Sequence, residues 1–446
     1  MISKYFPGAS FLIVTVLLLT SCLGSGNVNT ELSPDAQIHT FSMSSSADSL
    51  NALSATRFTI DQLQKKIFNE PPLPYQFSVD SVKIAISSKD MYTPFSNVVI
   101  NLKDPDTTFV WKANDSISFH RLKQITTTAP DQKTQRTYDF EINIHQQDPF
   151  ILTWEPLGKN YLTPPVNAQK TVLHNNRFFT YYLSNGTVKA VSGTNGKDWS
   201  AQNIIGLPPT IQFSGLIAAN NAVYALDEAS MLYKSADGVN WSAVETAYPV
   251  VTIYGELPSA TAGPILVAVN DNGTIKFAET NDFSTITLMN AVPQGIPVKD
   301  FSATNVQNPD SHAVQHIVLS GGKTHDNQSN NAIWLLQEKD NIISHLAEPM
   351  PLSISLQGSS VFAYDRNKLY LLTVQEGKNV LMISENYGLI WKPAGENQVL
   401  PTDFPRRTAA SVITDSENYI WIFGGISANS TQIADAWRGR LNRLAQ

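Results

Sequence analysis

Two neighbouring guanidinium groups, Arg406 and Arg407, form the one arginine pair that stands out in this 446-residue chain. Paired arginines offer planar donor forks, which suit carboxylate or phosphate oxygens in bidentate fashion. The alternative for such a pair is a surface salt bridge. Both readings stay open for Arg406 and Arg407 as ligand-binding candidates. The only sulfur nucleophile is Cys22. His312 and His316 stand four apart, but nothing around them reads as a helix and there is no His-Glu-x-x-His pattern. No catalytic residue set, metal site or cofactor motif is expected.

The composition agrees with a folded protein lacking a nucleic-acid partner. Apolar residues make up 42% and charged residues 15%, with 38 acidic against 31 basic side chains, a formal charge of -7. There is no run of Lys and Arg to meet phosphates. Few charges with many Thr, Ser, aromatic and β-branched residues favour strands.

Cys22 takes its meaning from what precedes it. Lys4 gives a positive start, Phe11 to Leu19 is a nine-residue apolar run, and Leu19-Thr20-Ser21-Cys22 follows. A membrane span needs roughly 20 apolar residues, so the run reads as a signal peptide. The last four residues resemble the lipobox of bacterial lipoproteins. That resemblance implies cleavage before Cys22, lipidation of its sulfur and a membrane partner through the lipid. Once Cys22 is lipidated, the rest of the chain has no thiol for disulfides or catalysis. Leu23, where an aspartate would suggest inner-membrane retention, favours the outer membrane. The absence of an acidic run behind it favours the periplasmic face over the cell surface. Residues 1–21 are thus the signal peptide and 22–36 a flexible tether.

From 37 to 147 the pattern has period two. Tyr138, Phe140, Ile142 and Ile144 alternate with polar residues, as do Val82, Ile84 and Ile86, and Val98, Ile100 and Leu102. About seven short strands predict an immunoglobulin-like β-sandwich. The stretch IDQLQKKIFN is expected to form a short helical turn. This domain reads as a spacer.

Residues 148–446 repeat. Apolar strand centres fall at Phe178, Tyr224, Leu266, Val318, Tyr370 and Trp421, spaced 42 to 52 residues apart. A proline-bearing loop is expected ahead of each unit, at Pro164, Pro208, Pro258, Pro297, Pro351 and Pro405. This period with several strands per unit predicts a six-bladed β-propeller. The last unit lacks a fourth strand, while 150–156 carries an orphan strand with Trp154. That strand is expected to complete the sixth blade and close the ring. The fold class is therefore all-β, an immunoglobulin-like sandwich followed by a propeller.

Two units overlay without a gap, 103 residues apart: Gly321-Gly322 with Trp334, and Gly424-Gly425 with Trp437. They resemble the kelch repeat. Three others carry Ser-x-Asp-x-Gly-x-x-Trp-like turns ending at Trp199, Trp241 and Trp391, the first with Thr194 at the usual Asp position. These resemble the Asp-box of sialidases. In each, Asp or Asn caps the turn, Gly takes positive φ and Trp packs on the hairpin, so the motif reads as structural. A sialidase would also need a Phe-Arg-Ile-Pro-type motif, which is missing, and three separate arginines on the substrate carboxylate, where only one arginine pair stands out. A galactose-oxidase-like copper site needs a Tyr–Cys cross-link, for which no cysteine remains.

The combination resembles an uncharacterised family of lipoproteins from Bacteroides-group bacteria. It implies a non-catalytic binding or scaffold protein presenting a propeller to a protein or glycan. The alternative is a carbohydrate-active hydrolase or lyase with its site in the propeller funnel.

Overall fold

The structure, a computed structural model, describes residues 31–444 apart from 90–92, 259–262, 308–314 and 367. The lipobox residues up to Cys22, and His312, lie outside the described residues. The chain separates into Met1–Gln147 and Asp148–Gln446, and the described part of each is built almost wholly of strands. Among the described residues no helix is long and apolar enough to cross a membrane.

In the first unit, Thr40–Ser44, Ser81–Ser87 and Ser116–Ser118 form a three-stranded sheet. Six further strands form a second sheet, with Asn97–Leu102, Leu122–Thr128 and Gln135–Glu141 adjacent in its middle. One apolar core draws Met43, Val82, Ile84 and Ile117 from the small sheet and Ile67, Ile100, Ile125 and Tyr138 from the large one. Alternation makes this possible, because every second side chain of a strand faces the same way. The stretch IDQLQKKIFN departs from the expected helical turn. It forms the hairpin Phe58–Asp61 and Lys66–Asn69. Asp61 Oδ1 accepts from the backbone N–H of Leu63 and Gln64, both at 2.8 Å, and Lys65 takes φ 55°. The turn is thus capped locally, and the strand that follows buries Ile67.

The second unit is a β-propeller. Its described strands form six four-stranded sheets and a two-stranded pair. The innermost strands of the six are Ala168–His174, Ile217–Ala219, Val250–Glu256, Lys299–Gln307, Ile354–Tyr364 and Ser411–Thr414. Each contacts the next, and the last contacts the first. The second strands carry the apolar centres Phe178, Tyr224, Leu266, Val318, Tyr370 and Trp421, all buried. Apolar clusters lie between neighbouring sheets. Val172 and Tyr181 pack with Val223 and Ala225, for example. Phe178 closes the series against Trp421 and Phe423, at centroid distances of 4.7 and 4.8 Å. One loop differs from expectation. Pro258 follows the innermost strand Val250–Glu256, and Pro249 directly precedes it. Spacing measured between second strands does not locate the first ones.

The strand Leu152–Lys159 pairs antiparallel with Asp435–Leu441, giving the sixth sheet its fourth strand. Gly321 and Gly322 have φ 64° and 86°. A Cβ on Gly321 would stand 2.1 Å from the Leu356 carbonyl oxygen of the next sheet. Gly424 and Gly425 have φ 57° and 107°. A Cβ on Gly425 would fall 2.8 Å from the Thr408 carbonyl oxygen. Positive φ and close approach both require glycine here. Trp334 and Trp437 sit opposite Leu319 and Ile422 in the pairs that leave these glycines.

The turn at Ser235 is held by its own side chains. Asp237 Oδ1 accepts from the N–H of Val239 and Asn240, both at 2.8 Å. Ser235 Oγ accepts from the Gly238 N–H at 2.9 Å, and Trp241 is buried. Ser384, Asn386 and Gly388 repeat the arrangement. In the first sheet Asn195, not Thr194, does the capping, accepting from the N–H of Lys197 and Asp198. A further turn of this kind carries no glycine and so no Asp-box signature in the sequence. Thr280 Oγ1 accepts from Phe283 N–H, Asp282 Oδ1 accepts from Ser284 N–H, and Phe283 takes φ 72° where the others have glycine.

Candidate functional site

The innermost strands leave a channel along the propeller axis. At the end where the chain enters each sheet it opens into a cavity of about 870 Å³. Hydroxyl and amide side chains line it from the first, second, fourth, fifth and sixth sheets or the loops leading to them, among them Gln169, Gln212, Ser302, Ser355, Gln357 and Thr408. The strands supply these groups for a geometric reason. The lining residues lie at or just before the starts of the inner strands, as at Asn167–Lys170 and Asp300–Ser302, so the mouth is framed by these segments. In the first sheet, Thr171 N–H donates to Ser411 Oγ at 2.9 Å, and the Gln169 amide donates to Gln432 Oε1 at 2.9 Å. These bonds pin Ala168–His174 to the sixth sheet.

A 3-10 turn, Phe213–Gly215, narrows the channel. It contacts the innermost strands of the first and fourth sheets. Ser214 Oγ reaches across to donate to Asp300 Oδ1 at 3.0 Å. Asp300 Oδ2 in turn pairs with Lys323 Nζ at 3.1 Å. Farther along the strands lies a second space of about 340 Å³, also lined by Lys170, Ser214, Asp300 and Ser302. Those residues stand at the throat between the two.

Charge in the wide cavity is unevenly satisfied. Its described carboxylates are Asp300, held as above, and Glu228, which is exposed. Lys170 and Arg406 both line it, and neither has an ion-pair or hydrogen-bond partner for its side chain among the described residues. Desolvation in the channel wall pushes the Lys170 ammonium pKa below the ordinary lysine value. Nothing in the sequence marked Lys170, because a lysine within AQKTVLH looks like an ordinary solvated strand residue.

The two adjacent arginines part company. Arg406 is half-buried and faces the cavity. Arg407 is 1% exposed and does not line it. Its Nη1 donates to Asp435 Oδ1 at 2.5 Å and to the Gly424 carbonyl at 2.9 Å, while Nη2 donates to Asp435 Oδ2 at 2.8 Å. Its Nε donates to the Pro405 carbonyl, and its guanidinium lies 4.4 Å from the Phe404 ring centroid. The expectation that Arg407 meets a ligand is therefore corrected. Successive residues of an extended segment point oppositely, and this one points into the protein. The salt bridge it makes is buried, not on the surface. Asn379 Oδ1 accepts from the Arg407 backbone N–H at 2.7 Å, so the backbone bearing Arg406 is fixed from both sides.

Among the described residues no group of three or more His, Cys, Asp or Glu is placed to hold a metal. His316 is buried, with its ring stacked on Tyr387 at 5.1 Å. Trp154, Trp199, Trp241, Trp334, Trp391 and Trp437 lie outside the cavity lining and serve the sheets.

Known proteins resemble the chain weakly in sequence. No curated protein matches it. Among solved structures it is similar to YjhT, at 12% identity and a TM-score of 0.45, over 63% of this chain and 95% of that one. It is similar to the fucose-recognising lectin of Aleuria aurantia at 11% identity and a TM-score of 0.38, over 61% and 93%. Virginiamycin B lyase from Staphylococcus aureus gives 11% and 0.38, over 65% and 99%. Two family matches cover most of the sequence: residues 31–142 match the DUF6242 N-terminal domain, a domain of unknown function, and residues 148–446 match the DUF6242 beta propeller domain. On these two matches the chain belongs to the DUF6242 family.

Proposed function

We propose that this protein is a lipid-anchored, non-catalytic binding or scaffold protein of the bacterial cell envelope. In this reading Cys22 carries the lipid and anchors the chain at the periplasmic face of the outer membrane. The N-terminal unit is an immunoglobulin-like spacer. The propeller is six-bladed, with kelch-like and Asp-box-like blades, and presents its wide cavity to a protein or glycan.

One observation supports binding above all. A cavity of about 870 Å³ is lined by neutral hydroxyl and amide groups drawn from most of the sheets. Such groups exchange hydrogen bonds with hydroxyls and amides of a ligand, and the size lies within the range of about 300–1,000 Å³ usual for ligand sites. A hydrolase or lyase would need convergent carboxylates or a Tyr/His/Arg cluster aimed at one point. Here Asp300 is already engaged by Lys323 and Ser214.

A glycan array and a pull-down from native envelopes test the reading, each with the full chain and its Cys22→Ser variant. The expected result is a saturable ligand retained by both forms, with only the Cys22 form found in the membrane fraction. Turnover of a captured glycan, or membrane retention of the Cys22→Ser variant, would overturn it.

A further inference from the structure

We propose that the wide cavity recognises an acidic carbohydrate, with the oxyanion of the sugar held between Lys170 and Arg406. This rests on the binding reading above and names the ligand class for that cavity.

Three observations carry it. Both cations line one cavity, and neither side chain has an anionic or hydrogen-bonding partner among the described residues. A half-buried charge without a partner is unfavourable, and an incoming anion removes that penalty. The third cation of the lining, Lys323, is different, because Asp300 already holds it. Second, the two candidate residues are held in place. Lys170 sits between Gln169 and Thr171, both bonded to the sixth sheet, and Arg406 precedes the buried Arg407–Asp435 fork. Preorganised donors lose little freedom on binding. Third, the remaining lining is rich in Ser, Thr, Gln and Asn side chains. These match a polyhydroxylated ligand better than an apolar one. Carboxylate, sulfate and phosphate esters of sugars share the required chemistry.

Burial adds a signature. Desolvation holds the Lys170 pKa down, and a bound oxyanion favours the charged ammonium and raises it again. Binding at a pH between the free-state and the bound-state pKa therefore draws a proton from solvent.

Titration calorimetry of the purified full chain distinguishes the sources of the oxyanion. The probes are galacturonate, galactose 6-sulfate, galactose 6-phosphate and, as a neutral control, galactose. At least one acidic sugar is expected to bind roughly tenfold or more tighter than galactose, and the one that does identifies the group. Lys170→Met and Arg406→Met are each expected to weaken that sugar by roughly tenfold, a larger loss than any they cause for galactose, with an unfolding midpoint no lower than that of the parent protein. Proton uptake, read from heats in buffers of different ionisation enthalpy, should vanish in Lys170→Met. Equal binding of acidic and neutral sugars overturns the proposal, as does full affinity in both variants. Failure of every acidic sugar also overturns it while leaving the binding reading standing if the array or pull-down yields another ligand. An acidic peptide that binds through both side chains, where the sugars fail, would replace the carbohydrate assignment.

Discussion

The indole of Trp154 lies against Gly439 so closely that a Cβ on that glycine would stand 2.6 Å from the ring. The two residues are register partners, joining the first strand of the second unit to its last long one. Trp154 Nε1 also donates to the Val399 carbonyl at 3.1 Å. The neighbouring Glu155 receives Lys197 at 2.9 Å and Arg438 at 2.7 Å. Those contacts hold its carboxyl below the usual range, Lys197 most of all. This one strand thus covers the edge of Asp435–Leu441 and ties the sixth sheet to the first.

Overpacking that contact should loosen the closure. Gly439→Val is expected to destabilise the propeller by about 1–3 kcal/mol, since the ring is not a flexible side-chain end. In a Trp154→Ala background the same change should do less harm, with a coupling of at least about 0.5 kcal/mol. Denaturant unfolding of the four proteins measures this. Simple additivity would show that the indole does not fill the space.

Arg407 and Asp435 give a second stability prediction. Both side chains are buried, and Trp437 Nε1 adds a donor to Asp435 at 3.1 Å. Arg407→Ala leaves a buried carboxylate unpaired and is expected to cost about 3–5 kcal/mol. Arg407→Met combined with Asp435→Leu should recover much of that, because two apolar side chains need no partner. Arg406→Ala should not lower the unfolding midpoint. If Arg407→Ala is as mild as Arg406→Ala, the fork contributes nothing to the fold.

Much of this architecture is legible in the residue pattern, and the misses have physical causes. Second strands are buried on both faces, so Phe178, Tyr224, Leu266, Val318, Tyr370 and Trp421 stand out as apolar peaks. First strands line the channel and mix polar with apolar residues, so Lys170 is inconspicuous. Its significance depends on the missing partner, which only tertiary structure reveals. Adjacent arginines look alike in sequence, yet Arg407 finds a carboxylate 28 residues away and Arg406 finds none among the described residues. The turn at Thr280 was hidden because Phe283 takes the glycine's place. Its ring packs on Tyr224 at a centroid distance of 5.0 Å, and that burial offsets an unfavourable φ.

His316 should make stability fall in mild acid. Burial lowers its pKa below the ordinary 6.5, while a hydrogen bond with Gln337 partly opposes the shift. As pH drops, the unfolded chain takes up the proton first, so it binds more protons than the native state and the fold weakens. The window opens near 6.5 and ends at the lower native pKa. Above it this residue adds no pH dependence. Unfolding midpoints recorded from about pH 8 to 5 should decline, and His316→Gln should flatten part of that decline. An unchanged slope in the variant would assign the decline to other groups.

Asp237 should govern a separate, more acidic window. The Asn240 N–H and side-chain amide, the Val239 N–H and the Ser235 hydroxyl all favour its ionised form, the Asn240 backbone most. They hold its carboxyl far below the usual value of 3.8. The native state therefore resists protonation where the unfolded chain accepts it. The stabilisation is complete above the unfolded pKa and is lost as pH falls below about 4 toward the native value. The side chain is exposed, so solvent screens the effect. Asp237→Ala is expected to cost about 1 kcal/mol at neutral pH, the net worth of a hydrogen bond or two, and less below pH 3. Equal losses at neutral and acid pH would mean that ionisation of Asp237 does not matter to the turn, and no loss at either pH that its backbone and the Ser235 hydroxyl hold it alone.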